Sequence, residues 1–169
     1  MSSDDDTLPE PADRPILAVD VDGVISLFGF KQPHEDAPGD WRLFDGTPHF
    51  VSRSAGERLR RLAEHFELVW ATGWEDRAND HLPYELGIAE LPVLRFGPDA
   101  RFGSAHWKLG PIGEYAEGRP LAWIDDCLDQ SCFDWAEQRP EPTLLVVADA
   151  ERGIEEAHVE ALIAWAEDL

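Results

Sequence analysis

Ile16-Leu17-Ala18-Val19-Asp20-Val21-Asp22-Gly23-Val24 is the stretch that decides the fold. Ile16 to Val19 read as a buried strand. The apolar run stops at two aspartates spaced i, i+2, and a glycine follows at once. Successive strand side chains point to opposite faces, so Asp20 and Asp22 share one side if the strand continues and are re-aimed if it turns. Gly23 permits the turn, because glycine takes backbone angles that other residues avoid. Two like charges about 4 Å apart repel by roughly 4 kcal/mol at an effective dielectric of 20. A divalent cation or an incoming substrate would relieve that repulsion; a solvated acidic turn is the plainer alternative.

The rest of the chain bounds the answer. It has 169 residues, enough for one domain with a sizeable core, and a formal net charge of -21. Such a surface repels nucleic-acid backbones and anionic membranes within the screening length. Lys31 and Lys108 are its only lysines. Cys127 and Cys132 lack the neighbours of a zinc site or a disulfide framework and read as two free thiols. No apolar run reaches membrane-spanning length and no basic-then-apolar leader opens the chain, so the reading is a soluble, cytoplasmic protein without a membrane partner.

Residues 1–13 are Ser, Asp, Glu and Pro with little to bury, and are expected to form a disordered acidic leader. One domain, 14–169, follows. Within it, 24–53 is rich in proline, glycine and aromatics, which argues against a long helix and for a packed loop or short hairpin, a candidate flap. Ser54 and Glu57 have capping-box spacing ahead of a helix from 54 to about 65. Leu68 to Ala71 reads as a second strand ending at Thr72-Gly73-Trp74. A helix through Ala78, Leu82 and Leu86 follows, interrupted or ended near Pro83. Pro92 to Phe96 reads as a third strand. Trp107-Lys108 then precedes a short helix around 112–116. Leu121 to Ile124 is a fourth strand ending at Asp125-Asp126, followed by a helix over 129–138. Leu144 to Ala148 is a fifth strand, and the last helix spans about 154–168.

Continuous apolar strands alternating with helices predict an α/β fold with a parallel sheet covered on both faces. Ligands bind such sheets at the carboxyl ends of the strands. That rule gathers Asp20, Asp22, Thr72, Lys108, Asp125 and Asp126 at one edge. Singly, Thr72 reads as a helix cap, Lys108 as a surface charge and Asp125-Asp126 as a turn; together they read as a site.

The order of these residues resembles the four motifs of the haloacid dehalogenase-like (HAD) superfamily: Asp20-Val21-Asp22-Gly23-Val24, a strand into Thr72, then Lys108, then a strand into Asp125-Asp126. Val69-Trp70-Ala71-Thr72-Gly73-Trp74-Glu75 and Trp123-Ile124-Asp125-Asp126 are also similar to a compact HAD branch found fused in multi-enzyme RNA repair proteins. The resemblance implies a Rossmann-like, three-layer αβα fold with about five strands. Neither the first gap nor Gly73 to Trp107 can house a large cap. It implies a phosphatase in which Asp20 is the nucleophile, Asp22 the general acid and base, Thr72 a phosphoryl donor and Lys108 the neutralising cation. Mg²⁺ would be held by Asp20, the Asp22 main-chain carbonyl and the Asp125-Asp126 pair, with Asp126 favoured as the direct ligand. Gly23, Gly73 and Trp74 are assigned to substrate binding; the Trp74 indole can stack on a base or pack against the flap. Asp22 favours phosphoryl chemistry over dehalogenation.

An open site suits a bulky phosphorylated substrate, such as a phosphoprotein or a nucleic-acid end. Nucleic acid enters only as such an end, because backbone affinity needs lysines and arginines. Arg95, Arg101 and the Arg58-Arg60-Arg61 cluster offer a local patch or a solvated face. The alternatives are a phosphotransferase, a catalytically weak HAD-shaped binding protein, and a receiver-type signalling domain. The last fits poorly, because here the second acidic pair follows the lysine.

Overall fold

The computed structural model describes residues 14–30, 38–98 and 103–169. The acidic leader, Lys31 and Arg101 lie outside them.

Strand β1, Ile16–Val19, is completely buried and lies at the centre of the main sheet. Parallel neighbours flank it: β5, Glu67–Trp70, on one side and β6, Leu121–Asp125, on the other. Strand β7, Thr143–Val147, adds beyond β6, giving the order β5-β1-β6-β7. Strand alternation sorts the core into two clusters. Leu17 and Val19 pack with Leu59 and Leu62 of α1 (Ala55–Leu62), Leu82 of α2 (Arg77–Leu86) and Leu162 of α5 (Glu156–Glu167). Ile16 and Ala18 pack with Ile112 of α3 (Leu109–Tyr115) and Cys132 of α4 (Gln130–Gln138). Helices therefore cover both faces of a parallel sheet.

The sheet has four strands rather than about five. Of the expected third strand, only Val93 makes a bridge to Trp70. Pro92 lacks the N–H a ladder needs, and contributes only its carbonyl, to Trp70 N. The expected break at Pro83 is also absent, since α2 runs through it to a left-handed Gly87. A proline inside a helix costs about 3 kcal/mol. Burial of Leu82 and Leu86 beside it offsets this at roughly 1.5–3 kcal/mol each. The Ser54 capping box does not form: the Ser54 side chain makes no cap bond. A reciprocal cap opens α5 instead, between Glu155 and His158.

Residues 24–53 contain a second sheet. Strands β2 (Ser26–Leu27), β3 (Gly39–Phe44) and β4 (Thr47–Ser52) pair antiparallel in the order β2-β4-β3. The flap is thus a hairpin tied to the turn after β1. The turn is braced from behind by the segment after β7: Phe28 N donates to Ala150 O (2.9 Å) and Ile154 N to Val24 O (3.0 Å). No helix among the described residues is long and apolar enough to cross a membrane.

Helices α1 and α2 meet at Gly56, where an added Cβ would lie 2.1 Å from the Leu86 carbonyl oxygen. Backbone cannot yield as a side-chain tip does. Gly56→Ala is expected to destabilise the fold by about 2–3 kcal/mol, lowering the melting temperature by about 5–10 °C. Differential scanning calorimetry measures this.

Candidate active site

The register of the main sheet builds the site. Val19 pairs with Ile124, so Asp20 and Asp125 emerge side by side from neighbouring strands, and Asp20 N donates to Ile124 O at 3.1 Å. Asp20 continues the parity of Ile16 and Ala18, and Asp125 that of Leu121 and Trp123. Both point to the face covered by α3 and α4. Lys108 arrives from that face, at the end of a 3₁₀ turn spanning Ala105–Lys108. The turn is anchored by Ala105 N to Cys127 O (2.9 Å), by the Ser104 hydroxyl accepting from His106 N, and by His106 Nδ1 with Ser131 Oγ (2.8 Å).

The result is a buried ionic cluster. Lys108 Nζ lies 2.6 Å from Asp125 Oδ2 and 3.0 Å from Asp20 Oδ1. Lys108, Asp125 and Asp20 are 3%, 1% and 5% exposed. Asp125 is spent on both oxygens, since Oδ1 accepts the Cys127 N–H at 2.9 Å. Asp20 Oδ1 also accepts the Val21 N–H at 2.8 Å. Burial pushes the Asp20 carboxyl well above its ordinary range; Lys108 opposes this, and Asp125 and Asp126 add to it. Burial lowers Lys108, but the charges of Asp20 and Asp125 outweigh it and the net shift is upward. Burial, reinforced by Asp125, raises Asp126, against a hydrogen bond with Asp20. Two carboxylates thus share one ammonium, with the Asp126 carboxyl beside them, so the cluster holds more acidic than basic groups.

Asp125, Asp126 and Cys127 have potential ligand atoms within 4.8 Å of one another. Burial and the neighbouring carboxylates push the Cys127 thiol up to about 11, so at neutral pH it stays protonated. The donors left are carboxylate oxygens, which fit a hard cation better than a soft one.

Gly23 serves the cluster by lacking a side chain. Its φ is +83°, and an added Cβ would stand 2.3 Å from the Asp126 carboxylate. The turn it permits lets Val21 O accept from the N–H groups of Val24, Ile25 and Ser26. It also re-aims Asp22, which is exposed and accepts the Trp74 Nε1–H at 3.0 Å. Trp74 therefore meets the site through its indole N–H. Of the two readings open for its ring, stacking on a base or packing against the flap, the structure shows the second: the ring is almost buried under the hairpin against His49 and Phe44. Thr72 is buried two residues beyond β5, and its hydroxyl accepts the Trp74 N–H at 3.1 Å. Gly73 lines the cleft next to it.

The cleft holds about 170 Å³ and is lined by Asp20, Asp22, Gly73, Lys108, Asp125 and Asp126, walled by Phe28, Trp107 and Cys127. Lys108 Nζ sits 5.1 Å from the centre of the Trp107 ring. Phe28, Trp107 and Cys127 carried no site signal in the sequence; they reach the cleft through loop geometry that no local pattern encodes. Among the described residues, the arginines considered for a patch each have a partner within the fold. Arg58 and Arg60 donate to the carbonyls of Ile154 and Leu86, Arg61 pairs with Glu156, and Arg95 with Asp76.

Removing one partner from a buried ion pair strands the other charges. Lys108→Met is expected to cost about 3 kcal/mol of stability at neutral pH, read by urea denaturation. Gly23→Ala is expected to displace the Asp126 carboxylate and to destabilise the fold by about 1 kcal/mol or more, because alanine is strained at this positive φ. A shift of the Asp126 side-chain carboxyl resonance in the NMR spectrum of the variant checks the displacement. Compared with known proteins, the chain matches no family model and no curated protein.

Proposed function

We propose that the chain is a Mg²⁺-dependent phosphomonoester hydrolase working through an aspartyl-phosphate on Asp20. The observation that carries this reading is the buried Asp20–Lys108–Asp125 cluster at the floor of a cleft that Asp22 also lines. Such a floor lets one carboxylate face an anion, because an ammonium offsets its charge. The order of these residues along the chain, which resembles the HAD superfamily, supports the same reading.

Asp20 Oδ1 is held by Lys108 and the Val21 N–H, so Oδ2 is the oxygen assigned to attack phosphorus. The P–O bond to the leaving group breaks as the Oδ2–P bond forms. Asp22 donates its proton to the departing oxygen; it stands exposed at the cleft, fixed by Trp74. Asp22 then takes a proton from water, whose oxygen attacks phosphorus and returns Asp20 as a carboxylate. Thr72 uses a lone pair on the Trp74 N–H and keeps its hydroxyl proton to donate toward the phosphoryl group. Asp20, the Asp22 main-chain carbonyl and Asp126 would hold the Mg²⁺, with Asp125 committed to Lys108. When bound, the cation neutralises phosphoryl charge and aligns the group for displacement.

Hydrolysis of p-nitrophenyl phosphate is expected to require Mg²⁺, to stop with a chelator, and to fall at least about a thousandfold in Asp20→Asn. Asp22→Asn is expected to lose roughly 10²–10⁴-fold on an alkyl phosphate. The loss of the first step should be smaller on p-nitrophenyl phosphate, whose leaving group needs no proton. Equal first-step losses on both, read by rapid quench, would remove Asp22 from the acid role.

A further inference from the structure

The hairpin sheet has one strongly apolar face, and a second hollow opens on it. Across β2-β4-β3, Leu27 pairs with Phe50 and Phe50 with Trp41, so all three share a face. Phe30 stands edge-on to Phe50 at 5.1 Å between ring centres, and Trp41 is tilted over Phe50 at 5.2 Å. These rings, with Phe28 and Asp22, line a hollow of about 340 Å³. That is near the lower end of small-ligand sites. Trp41 is 65% exposed, although an indole is among the costliest side chains to leave in water.

Two observations identify the occupant. First, the hollow and the phosphate cleft share Asp22 and Phe28. The group assigned to protonate the leaving oxygen therefore sits on their common rim, and the leaving group extends from that rim into the hollow. Second, among the described residues Asp22 is the only acidic side chain on its walls, and neither lysine nor arginine lines it. On a chain of net charge -21, that wall repels a second phosphate or a polyanionic tail.

We infer that this hollow is the leaving-group subsite, and that it selects monophosphate esters carrying one flat, uncharged ring, seated against Trp41 and Phe50. The inference rests on the hydrolase reading for the bond that is broken, but not for the seat of the ring. Nucleosides and tyrosyl groups share the required chemistry. Nucleic-acid ends and nucleoside diphosphates, which bring further phosphates, do not.

Adenosine, which has no phosphate to hydrolyse, tests the seat alone. Saturable quenching of tryptophan fluorescence is expected, with affinity reduced about tenfold or more in Trp41→Ala, in line with the usual worth of ring stacking. It should persist in Leu43→Ala, whose side chain is on the same strand and exposed but outside the hollow. Absence of adenosine binding, or equal binding by Trp41→Ala, overturns the inference. Turnover of adenosine 5′-monophosphate against ribose 5-phosphate then tests selection, since the two esters have the same kind of leaving oxygen and differ in the ring. The kcat/KM ratio should exceed about ten in the unaltered protein and fall toward one in Trp41→Ala; a ratio near one in both overturns selection. Adenosine 5′-diphosphate should be the poorer substrate, and phosphotyrosine shows whether a tyrosyl ring is taken as well as a base. If adenosine binds through Trp41 but no ester is cleaved, the hydrolase reading fails while the ring seat stands.

Discussion

The contact between one ammonium group and two buried carboxylates governs this molecule. Lys108 lies within 3.0 Å of both Asp20 and Asp125, and none of the three is appreciably exposed. Buried charges survive only when paired and hydrogen-bonded, because each loses several kcal/mol of hydration. The sheet register supplies the carboxylates at adjacent positions, and the anchored 3₁₀ turn supplies the cation. Asp126 is left without an equal share of that cation, and burial with the Asp125 charge raises its pKa. The cluster therefore holds more carboxyl groups than its one ammonium contacts.

The periphery is organised by Asp22 in a different way. It is exposed, and a single indole N–H fixes its direction. Trp74 is itself held between the end of β5 and the hairpin, where His49 and Phe44 pack on its ring. The hairpin thus acts on the cleft by setting the tryptophan that aims the acid. A segment that reads as a flap serves also as a buttress.

Much of the main sheet and the acidic cluster was legible in the sequence, because each depends on short-range pattern. A buried strand shows as an unbroken apolar run, and the rule placing ligands at strand ends does the rest. Features set by tertiary packing were not legible. Pro83 sits inside a helix because buried leucines on either side outweigh its cost. Pro92 to Phe96 has strand-like residues but makes one bridge. Ser54 has the spacing of a cap without its bond, while Glu155 and His158, which give no standard serine or threonine signal, form one. A short hairpin in 24–53 and a Trp74 ring packed against it were each one of two readings open in the sequence; partners far along the chain decide between them.

The brace between the segment after β7 and the turn after β1 carries a consequence for biosynthesis. A ribosome delivers β1 first, yet β1 is the middle of the sheet, and its β6 neighbour and the Ala150 and Ile154 contacts come only near the end of the chain. Until then β1 has only β5 to pair with, its other edge is open, and Asp20 and Lys108 lack the Asp125 that completes their cluster. Long-range closure of this kind slows folding and leaves strand edges open to the wrong partner. The strong negative charge of the chain, which does little to hold the finished fold together, keeps neighbouring copies apart during that interval.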